Sequence, residues 1–391
     1  MGRLRHLLVG LGLTGSVFLT AGTVSYYEEA LPSTMNPLFA RSMVDHRTHE
    51  LVFDRLFFRS AITNELKSRL VDNYSVVEGG KKLKVVLKQG IKWHDGKPLT
   101  GEDVCFTIDA MLDPKTASPI AKQYKEALEG CEHNEKENSA TIAFKRLYHN
   151  PRERVGFSVL PAHMFQGTAV SPDMDFSQRP IGTGPMKGSK GRRAVSFTKF
   201  ANGHHDPKIG NLSQQEGGDP NGQIRTLING GVQGVIAVPP SYRPDVAASD
   251  DVALKSYDLR SWWFVAVNTN KGPLKDKRVR QALDLTLDRE ALRELTIGVD
   301  KEDAHPPCEF VSGPFVQSSP YYNRQVRVHD RSDLAKAKQL MTAAGFTSQA
   351  DRWLINGQAI SFRIGMNSSL NAEAIDLLNQ VNNQLDRKSV V

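Results

Sequence analysis

Cysteine is scarce in this chain of 391 residues, which holds only Cys105, Cys131 and Cys308. None of them stands in a CxxC spacing, so neither a cysteine zinc site nor a disulfide-rich scaffold is indicated. Two readings of Cys105 and Cys131 stay open. They form a single bridge in an oxidising compartment, because they are the nearest pair in sequence, or they are small buried apolar side chains.

Enzyme signatures are also missing. The chain has no GxSxG, HExxH, Walker or dinucleotide-binding motif, and no pattern indicates a nucleophile beside a base. Lys and Arg total 50 against 43 Asp and Glu, and this formal excess of +7 is spread along the chain. Such a balance does not favour nucleic acid as a partner. We therefore expect a protein without catalytic residues or cofactors.

Long apolar runs are absent except at the N-terminus, where residues 1–25 have the layout of a secretory signal peptide. Arg3 and Arg5 precede the apolar run Leu7–Leu19, and small residues follow. As a helix this run would be about 20 Å long, too short for the roughly 30 Å hydrocarbon core of a bilayer. The LTAG at 19–22 resembles a lipoprotein cleavage box, but Gly22 replaces the lipidated cysteine. We expect a periplasmic or extracellular protein without a lipid anchor.

Strand and helix patterns alternate downstream and predict a mixed α/β fold. Leu83, Val85 and Leu87 alternate with lysines, which predicts a half-buried strand. Thr100 and Asp103 then form a capping-box pattern at the start of a helix. Further helical stripes lie near 279–287, after Asp288, from about Ser332 to Gly345, and at 370–385.

The composition of two other segments predicts their structure. Residues 201–234 are rich in glycine, asparagine and glutamine, and we expect mostly surface loop there. Residues Trp262–Asn268 (WWFVAVN) are nearly all apolar, which predicts a strand deep in a sheet or at a domain crossing. Two histidine groups, His46 with His49 and His204-His205-Asp206, lack further ligands at a fixed spacing. We expect them to lie on solvated surface and expect no metal site.

Several blocks in a fixed order carry a family resemblance: Ser33–Leu38 (STMNPL), Val86–Asp109 (VLKQGIKWHDGKPLTGEDVCFTID), Leu160–Phe165 (LPAHMF), Pro180–Pro185 (PIGTGP), Asn268–Glu290 and Ala335–Phe346. Together they resemble bacterial extracellular solute-binding protein family 5, the oligopeptide- and dipeptide-binding proteins of ABC importers. Members of that family continue beyond the last helix predicted here, so we expect a C-terminally truncated chain.

The resemblance implies an α/β clam shell of two lobes that close around a ligand by a hinge motion. Lobe I would span 26–262 with an extra subdomain at about 46–157, and lobe II would span 263–391 and be incomplete. Trp262–Asn268 would be the strand that crosses between the lobes.

The same resemblance implies a ligand site in the cleft between the lobes. A general peptide receptor binds the peptide backbone by strand addition, and the segment Glu28–Ser33 suits that task. Glu29, Leu31 and Ser33 are the candidate contacts there, and an edge strand paired only within its own lobe is the alternative. Trp262 and Trp263 are candidate hydrophobic walls, with burial in the core as the alternative.

The predicted function is capture of short peptides, or a related small solute, and delivery to a membrane permease. We expect a monomer whose partners are that ligand and the permease. Two alternatives stay open: a truncated, non-transporting fragment that acts as an interaction module, and a secreted hydrolase.

Overall fold

The computed structural model of the chain describes residues 22–60, 63–255, 263–297, 308–317, 319, 321–326, 328–349, 352–365 and 372–387. Two compact units follow one another along the chain: the first ends at Val238 and the second begins at Pro239. The predicted lobe boundary at 262 lies in a stretch, 256–262, outside these residues and stays a prediction.

The first unit carries the larger core and most of the β-structure. Its strands are β1 (Thr23–Glu28), β2 (Phe58–Arg59), β3 (Leu66–Lys67), β4 (Val71–Val77), β5 (Lys82–Leu87), β6 (Leu128–Asn134), β7 (Ser139–Phe144), β8 (Met186–Lys190), β9 (Ala194–Lys199), β10 (Asn211–Glu216) and β11 (Gly234–Val235). Its helices are α1 (Met43–Val52), α2 (Gly101–Leu112), α3 (Ala121–Lys125) and α4 (Pro220–Ile228).

A five-stranded sheet in the order β11-β1-β10-β9-β8 joins the start of this unit to its end. β1 runs parallel to both of its neighbours, with Thr23 opposite Asn211 and Tyr26 opposite Gly234. β8, β9 and β10 are antiparallel. The first strand is thus an interior strand whose partners lie near the end of the unit.

The expectation of mostly surface loop at 201–234 was wrong for part of this stretch, which contains β10, α4 and the first residue of β11. β10 reads NLSQQE, which carries no apolar alternation, yet its backbone pairs with strands on both sides. Gln214 is fully buried, and its Oε1 accepts a hydrogen bond from Thr48 Oγ1 at 3.0 Å. Because β10 is rich in polar side chains, a pattern based on hydrophobicity does not reveal this strand.

The second sheet of the unit confirms the strand and helix predicted at 81–112. It is antiparallel in the order β4-β5-β7-β6, and Leu83, Val85 and Leu87 of β5 all point into the core. Helix α2 begins with the predicted capping box of Thr100 and Asp103. Cys105 of α2 and Cys131 of β6 form a disulfide, which decides between the two readings of these cysteines.

The second unit has a smaller core. Its elements are α5 (Arg243–Ala247), α6 (Lys277–Thr286), α7 (Arg289–Ile297), α8 (Leu334–Ala343), β12 (Thr347–Gln349), β13 (Arg352–Ile355), β14 (Gln358–Ala359) and α9 (Ala372–Arg387). The predicted helices are confirmed: Asp288 accepts a hydrogen bond from the backbone N of Ala291, and Gly345 follows α8 with a φ of 92°. Asp333 caps α8, which was predicted to begin at about Ser332.

The strand predicted at Trp262–Asn268 was wrong over the residues that the structure describes. Trp262 lies outside them, and residues 263–268 belong to no strand. Trp263 is 55% exposed and Phe264 63%. A strand forms where a neighbouring strand supplies backbone partners. In the described part of this unit the three strands of the β12-β13-β14 sheet pair only with one another.

Candidate functional site

The predicted contacts Glu29, Leu31 and Ser33 lie on the segment that leaves the sheet at the end of β1. The strand ends at Glu28, and residues 29–33 have no ladder partner. Glu29 and Ser33 are exposed, and Leu31 is half-buried against the core. The structure therefore brings these three residues together on one short, non-repetitive segment of the first unit.

An ion pair at the last residue of β1 holds this segment in place. Glu28 is buried, and Arg47 of α1 contacts both of its carboxylate oxygens, with Nε to Oε2 at 3.1 Å and Nη2 to Oε1 at 2.6 Å. Oε2 of Glu29 lies 3.8 Å from the same guanidinium. The sequence indicated Glu29 as a contact but not the ion pair of Glu28 and Arg47, because two adjacent acids do not reveal which one is buried.

Ser33 is bound to a second buried carboxylate, Asp45 at the start of α1. Asp45 accepts hydrogen bonds from Ser33 N at 2.6 Å and from Ser33 Oγ at 3.1 Å. The backbone N–H groups of Arg41 and Ser42 also donate to it. Burial raises the pKa of Asp45, but these hydrogen bonds outweigh the burial and hold the pKa below its usual range. The other end of Ser33, its carbonyl oxygen, accepts a hydrogen bond from Lys190 Nζ at 3.0 Å.

The two tryptophans belong to another part of the chain. Trp263 lies in the second unit and is more than half exposed, and Trp262 lies outside the described residues. The other two tryptophans are core residues: Trp93 is fully buried and Trp353 is 3% exposed. Trp263 is therefore an accessible apolar surface of the kind that a ligand wall requires.

The GTG loop at 182–184 packs into the first unit and is held there by His94. Gly182 N donates to His94 Nδ1 at 3.1 Å, so the proton sits on Nε2, which donates to Gly184 O at 3.0 Å. A Cβ atom on Gly182 would lie 1.8 Å from Val52 O, so only glycine fits there. Burial lowers the pKa of His94 to about 4, which keeps the imidazole neutral. This loop and the HDG turn at 94–96 thus support the fold.

The expectation that both histidine groups lie on solvated surface was wrong for His49 and right for His204 and Asp206, which are exposed. His49 is buried, and its Nε2 donates to Thr34 O at 2.8 Å. Burial lowers its pKa to about 4. His204 and His205 each lie within hydrogen-bond distance of the buried carboxylate of Asp54. No sequence spacing could have shown this, since Asp54 lies 150 residues before His204.

Comparison with known proteins relates residues 65–385 to the family model of bacterial extracellular solute-binding proteins, family 5, middle part. The chain is 24% identical over 358 residues to the oligopeptide-binding protein AppA of Bacillus subtilis, covering 86% of this chain and 62% of that protein. It is 27% identical to protein XP55 of Streptomyces lividans, covering 81% of this chain and 56% of that protein. The chain thus spans less than two thirds of the length of these relatives.

Solved structures share the fold. NikZ from Campylobacter jejuni, in complex with Ni(L-His), aligns with a TM-score of 0.77 at 23% identity and covers 94% of this chain and 72% of its own. AppA from Bacillus subtilis, in complex with a nonapeptide, aligns with a TM-score of 0.73 at 21% identity, covering 94% of this chain and 73% of that chain. The predicted α/β fold of periplasmic binding proteins is confirmed by these similarities.

Among the residues that the structure describes, none of the helices is both long enough and apolar enough to cross a membrane. The family model covers most of the chain. This chain belongs to the bacterial extracellular solute-binding proteins of family 5.

Proposed function

We propose that this chain is the extracytoplasmic solute-binding component of an ABC importer, which captures short peptides between two lobes and delivers them to a membrane permease. The observation that carries the proposal is the family match over residues 65–385. The names of its relatives support peptides as the ligand, since they include the oligopeptide-binding protein of Bacillus subtilis and the dipeptide-binding protein of Escherichia coli. Such a receptor binds its ligand and carries out no chemical step.

We place the ligand against the segment 29–33 and the tryptophans at 262–263. The carboxylate of Glu29 is exposed and only 3.8 Å from one cation, so it keeps lone pairs for the positive α-amino group of a peptide. Leu31 offers a half-buried apolar surface, and Ser33 an exposed hydroxyl. Trp262 and Trp263 would form the apolar wall, since indole combines a large area with one N–H donor.

The disulfide supports an extracytoplasmic location. A bridge between Cys105 and Cys131 forms and persists in oxidising compartments and is rare in the cytosol. The predicted signal peptide spans residues 1–25, but β1 begins at Thr23, so we propose that removal occurs at or before Gly22.

A peptide panel tests the proposal directly. The purified chain is mixed with peptides of two to nine residues, and thermal unfolding and titration calorimetry are recorded. A ligand that binds only the folded state at 100 times its Kd adds about 2.7 kcal/mol to the free energy of unfolding. At least one peptide class should raise Tm, and the absence of any response across the panel would overturn the proposal.

Variants then test the placement of the ligand. Glu29→Gln and Trp263→Ala should each weaken binding of the best peptide by about tenfold or more, a loss of at least 1.4 kcal/mol. The matched controls are Glu135→Gln and Tyr321→Ala, which alter an exposed acid and an exposed aromatic side chain elsewhere. If the controls weaken binding as much as the test variants, the proposed contacts are wrong.

One observation favours a second candidate, an interaction module. The run 263–267 is apolar and exposed, with Val265 at 50% and Val267 at 40%. Contiguous apolar surface of this kind marks sites of association. Concentration-dependent association in sedimentation experiments, abolished by Val265→Ser and accompanied by no peptide binding, would favour this candidate over transport.

A further inference from the structure

Three potential metal ligands meet in the first unit although they come from separate loops. Asp54 is the second residue after α1, and His204 and His205 lie in the loop between β9 and β10. The Nε2 atoms of both histidines lie 3.0 Å from Asp54 Oδ2. One donor atom from each of the three side chains lies within 4.8 Å of the other two.

The two separations between a histidine Nε2 and Asp54 Oδ2 are close to those of a tetrahedral metal site. Imidazole nitrogen and carboxylate oxygen bind Zn²⁺ at 2.0–2.2 Å, which places neighbouring ligand atoms of a tetrahedron roughly 3.3 Å apart. The two nitrogen–oxygen separations of 3.0 Å differ from that value by only a few tenths of an ångström. An ion would replace the hydrogen bond of His205 Nε2 and the 3.0 Å contact of His204 Nε2 with Asp54, and each imidazole would carry its proton on Nδ1.

The carboxylate is buried and held in place. Asp54 is 2% exposed, and Thr183 Oγ1 donates to its Oδ2 at 3.0 Å. In return the backbone N–H of Asp54 donates to Thr183 Oγ1 at 3.3 Å. Outer hydrogen bonds of this kind orient the ligands of known metal sites. Arg69 Nη1 is the remaining partner, at 3.5 Å from Oδ1, but its side chain is 52% exposed and has room to move away.

Solvent reaches the two histidines. Their side chains are 21% and 15% exposed. They line an open cavity of about 490 Å³ together with Ser68, Arg69, Lys88 and Asp206. The cavity provides an entry path for an ion and space for water at a fourth ligand position.

We propose that Asp54, His204 and His205 form a binding site for one divalent transition-metal ion such as Zn²⁺. Two imidazoles and a carboxylate suit Zn²⁺ better than Mg²⁺, which prefers a shell of oxygen ligands. None of the three residues belongs to the segment proposed to bind peptides, so the inference stands independently of the proposed function.

The experiment titrates the purified, metal-free full chain with ZnCl₂, and with MgCl₂ in parallel, by calorimetry and thermal unfolding. Zn²⁺ should bind with a stoichiometry of one and raise Tm, and Mg²⁺ should do neither. The absence of Zn²⁺ binding would overturn the proposal.

Substitutions then locate the ion. His204→Gln and His205→Gln each remove one of the three ligands. Loss of an outer hydrogen bond already weakens metal binding by roughly tenfold, so loss of a ligand should weaken Zn²⁺ binding by more than that. His163→Gln is the matched control, because His163 Nε2 lies 2.7 Å from the carboxylate of Asp95 in a pair outside the proposed site. Equal Zn²⁺ affinity in the His204→Gln/His205→Gln double variant and the parent chain would overturn the assignment.

A spectroscopic readout separates ligation from folding. Co²⁺ in a site with two imidazoles gives visible d–d absorption, which the parent chain and His163→Gln should show and either site variant should lose. Circular dichroism checks that the variants fold, which we expect because Asp54 keeps Thr183, Arg69 and one histidine in each of them. A Co²⁺ spectrum unchanged in both site variants contradicts the proposal.

Discussion

Three buried carboxylates organise the first unit at the level of single residues: Glu28, Asp45 and Asp54, each no more than 2% exposed. An ionised carboxylate without partners is costly inside a protein. Glu28 forms an ion pair with Arg47, and Asp45 accepts hydrogen bonds from backbone N–H groups. Asp54 accepts a hydrogen bond from Thr183 and lies beside two histidines. Each therefore fixes the position of a segment that has no regular structure of its own.

Replacement of Arg47 by methionine should be strongly destabilising. It leaves Glu28 buried without its cation, and removal of one partner of a buried ion pair costs about 3–5 kcal/mol. We expect the lower end of that range, because the Arg47 side chain is 32% exposed. Urea unfolding measures the loss of free energy.

Arg55→Met is the control, because Arg55 pairs with the exposed Glu50 at 3.0 Å, and such surface pairs contribute about 1 kcal/mol or less. The double variant Glu28→Met/Arg47→Met should regain part of the loss. Equal costs for Arg47→Met and Arg55→Met would show that burial of Glu28 does not matter.

The two buried histidines predict that stability falls in mild acid. The pKa values of His49 and His94 are about 4 in the folded chain against 6.5 for the free side chain. Between pH 6.5 and 4 the unfolded chain binds more protons, so the free energy of unfolding decreases as pH falls. Each histidine should lower the free energy of unfolding by about 3 kcal/mol once the pH is below 4. Each tenfold difference in proton affinity corresponds to about 1.4 kcal/mol.

Urea unfolding at a series of pH values checks this dependence. His49→Gln should flatten the curve between pH 6.5 and 4, because glutamine does not titrate in this window. A constant free energy of unfolding across this window would show that the two imidazoles are not held neutral.

Among the elements, α2 is fixed to its surroundings by both local and long-range contacts. The helix begins with a capping box. The carboxylate of Asp103 accepts a hydrogen bond from Trp93 Nε1 at 3.2 Å and another from Ala162 N at 2.8 Å. The disulfide ties the helix to β6 across 26 positions of sequence. Local capping and long-range links thus act on the same helix.

Loss of this disulfide should lower stability. On the chain-entropy account, a cross-link that closes a loop of this length contributes about 3–4 kcal/mol. The variant Cys105→Ala/Cys131→Ala should therefore unfold at lower urea concentration, and dithiothreitol should shift the parent chain in the same direction. Cys308→Ala, which removes the half-buried free thiol, is the control. A double variant as stable as this control would contradict the expectation.

At the scale of the whole molecule, β1 connects the start of the first unit to its end, because it lies between β10 and β11 in the sheet. The backbone of Ser25 makes two further contacts beside the ladder: its N donates to Gln233 Oε1 at 2.9 Å, and its carbonyl accepts from Gln233 N at 2.8 Å. The first residues of the described chain thus hold the end of the first unit in place.

A chain that starts at Gly22 should be more stable than one that starts at Tyr26. The shorter chain lacks Thr23, Val24 and Ser25, which pair with Asn211, Leu212 and Ser213, and each lost hydrogen bond costs about 1 kcal/mol. Urea unfolding of both chains measures the difference. Mass spectrometry tests the proposed removal of the signal peptide, which should leave the N-terminus at or before Thr23. Equal stabilities would show that these pairs are dispensable.

Local patterns of the sequence determined the family resemblance, the strand at β5, the capped helix α2 and the helices of the second unit. These features depend on neighbours along the chain, and periodicity and caps record such preferences directly. Only the tertiary structure decided that the polar β10 is an interior strand, that Glu28 is buried beside Arg47, and that Asp54 meets His204 and His205. Those contacts join residues far apart in sequence, and their energy depends on burial and charge that arise only when the segments meet.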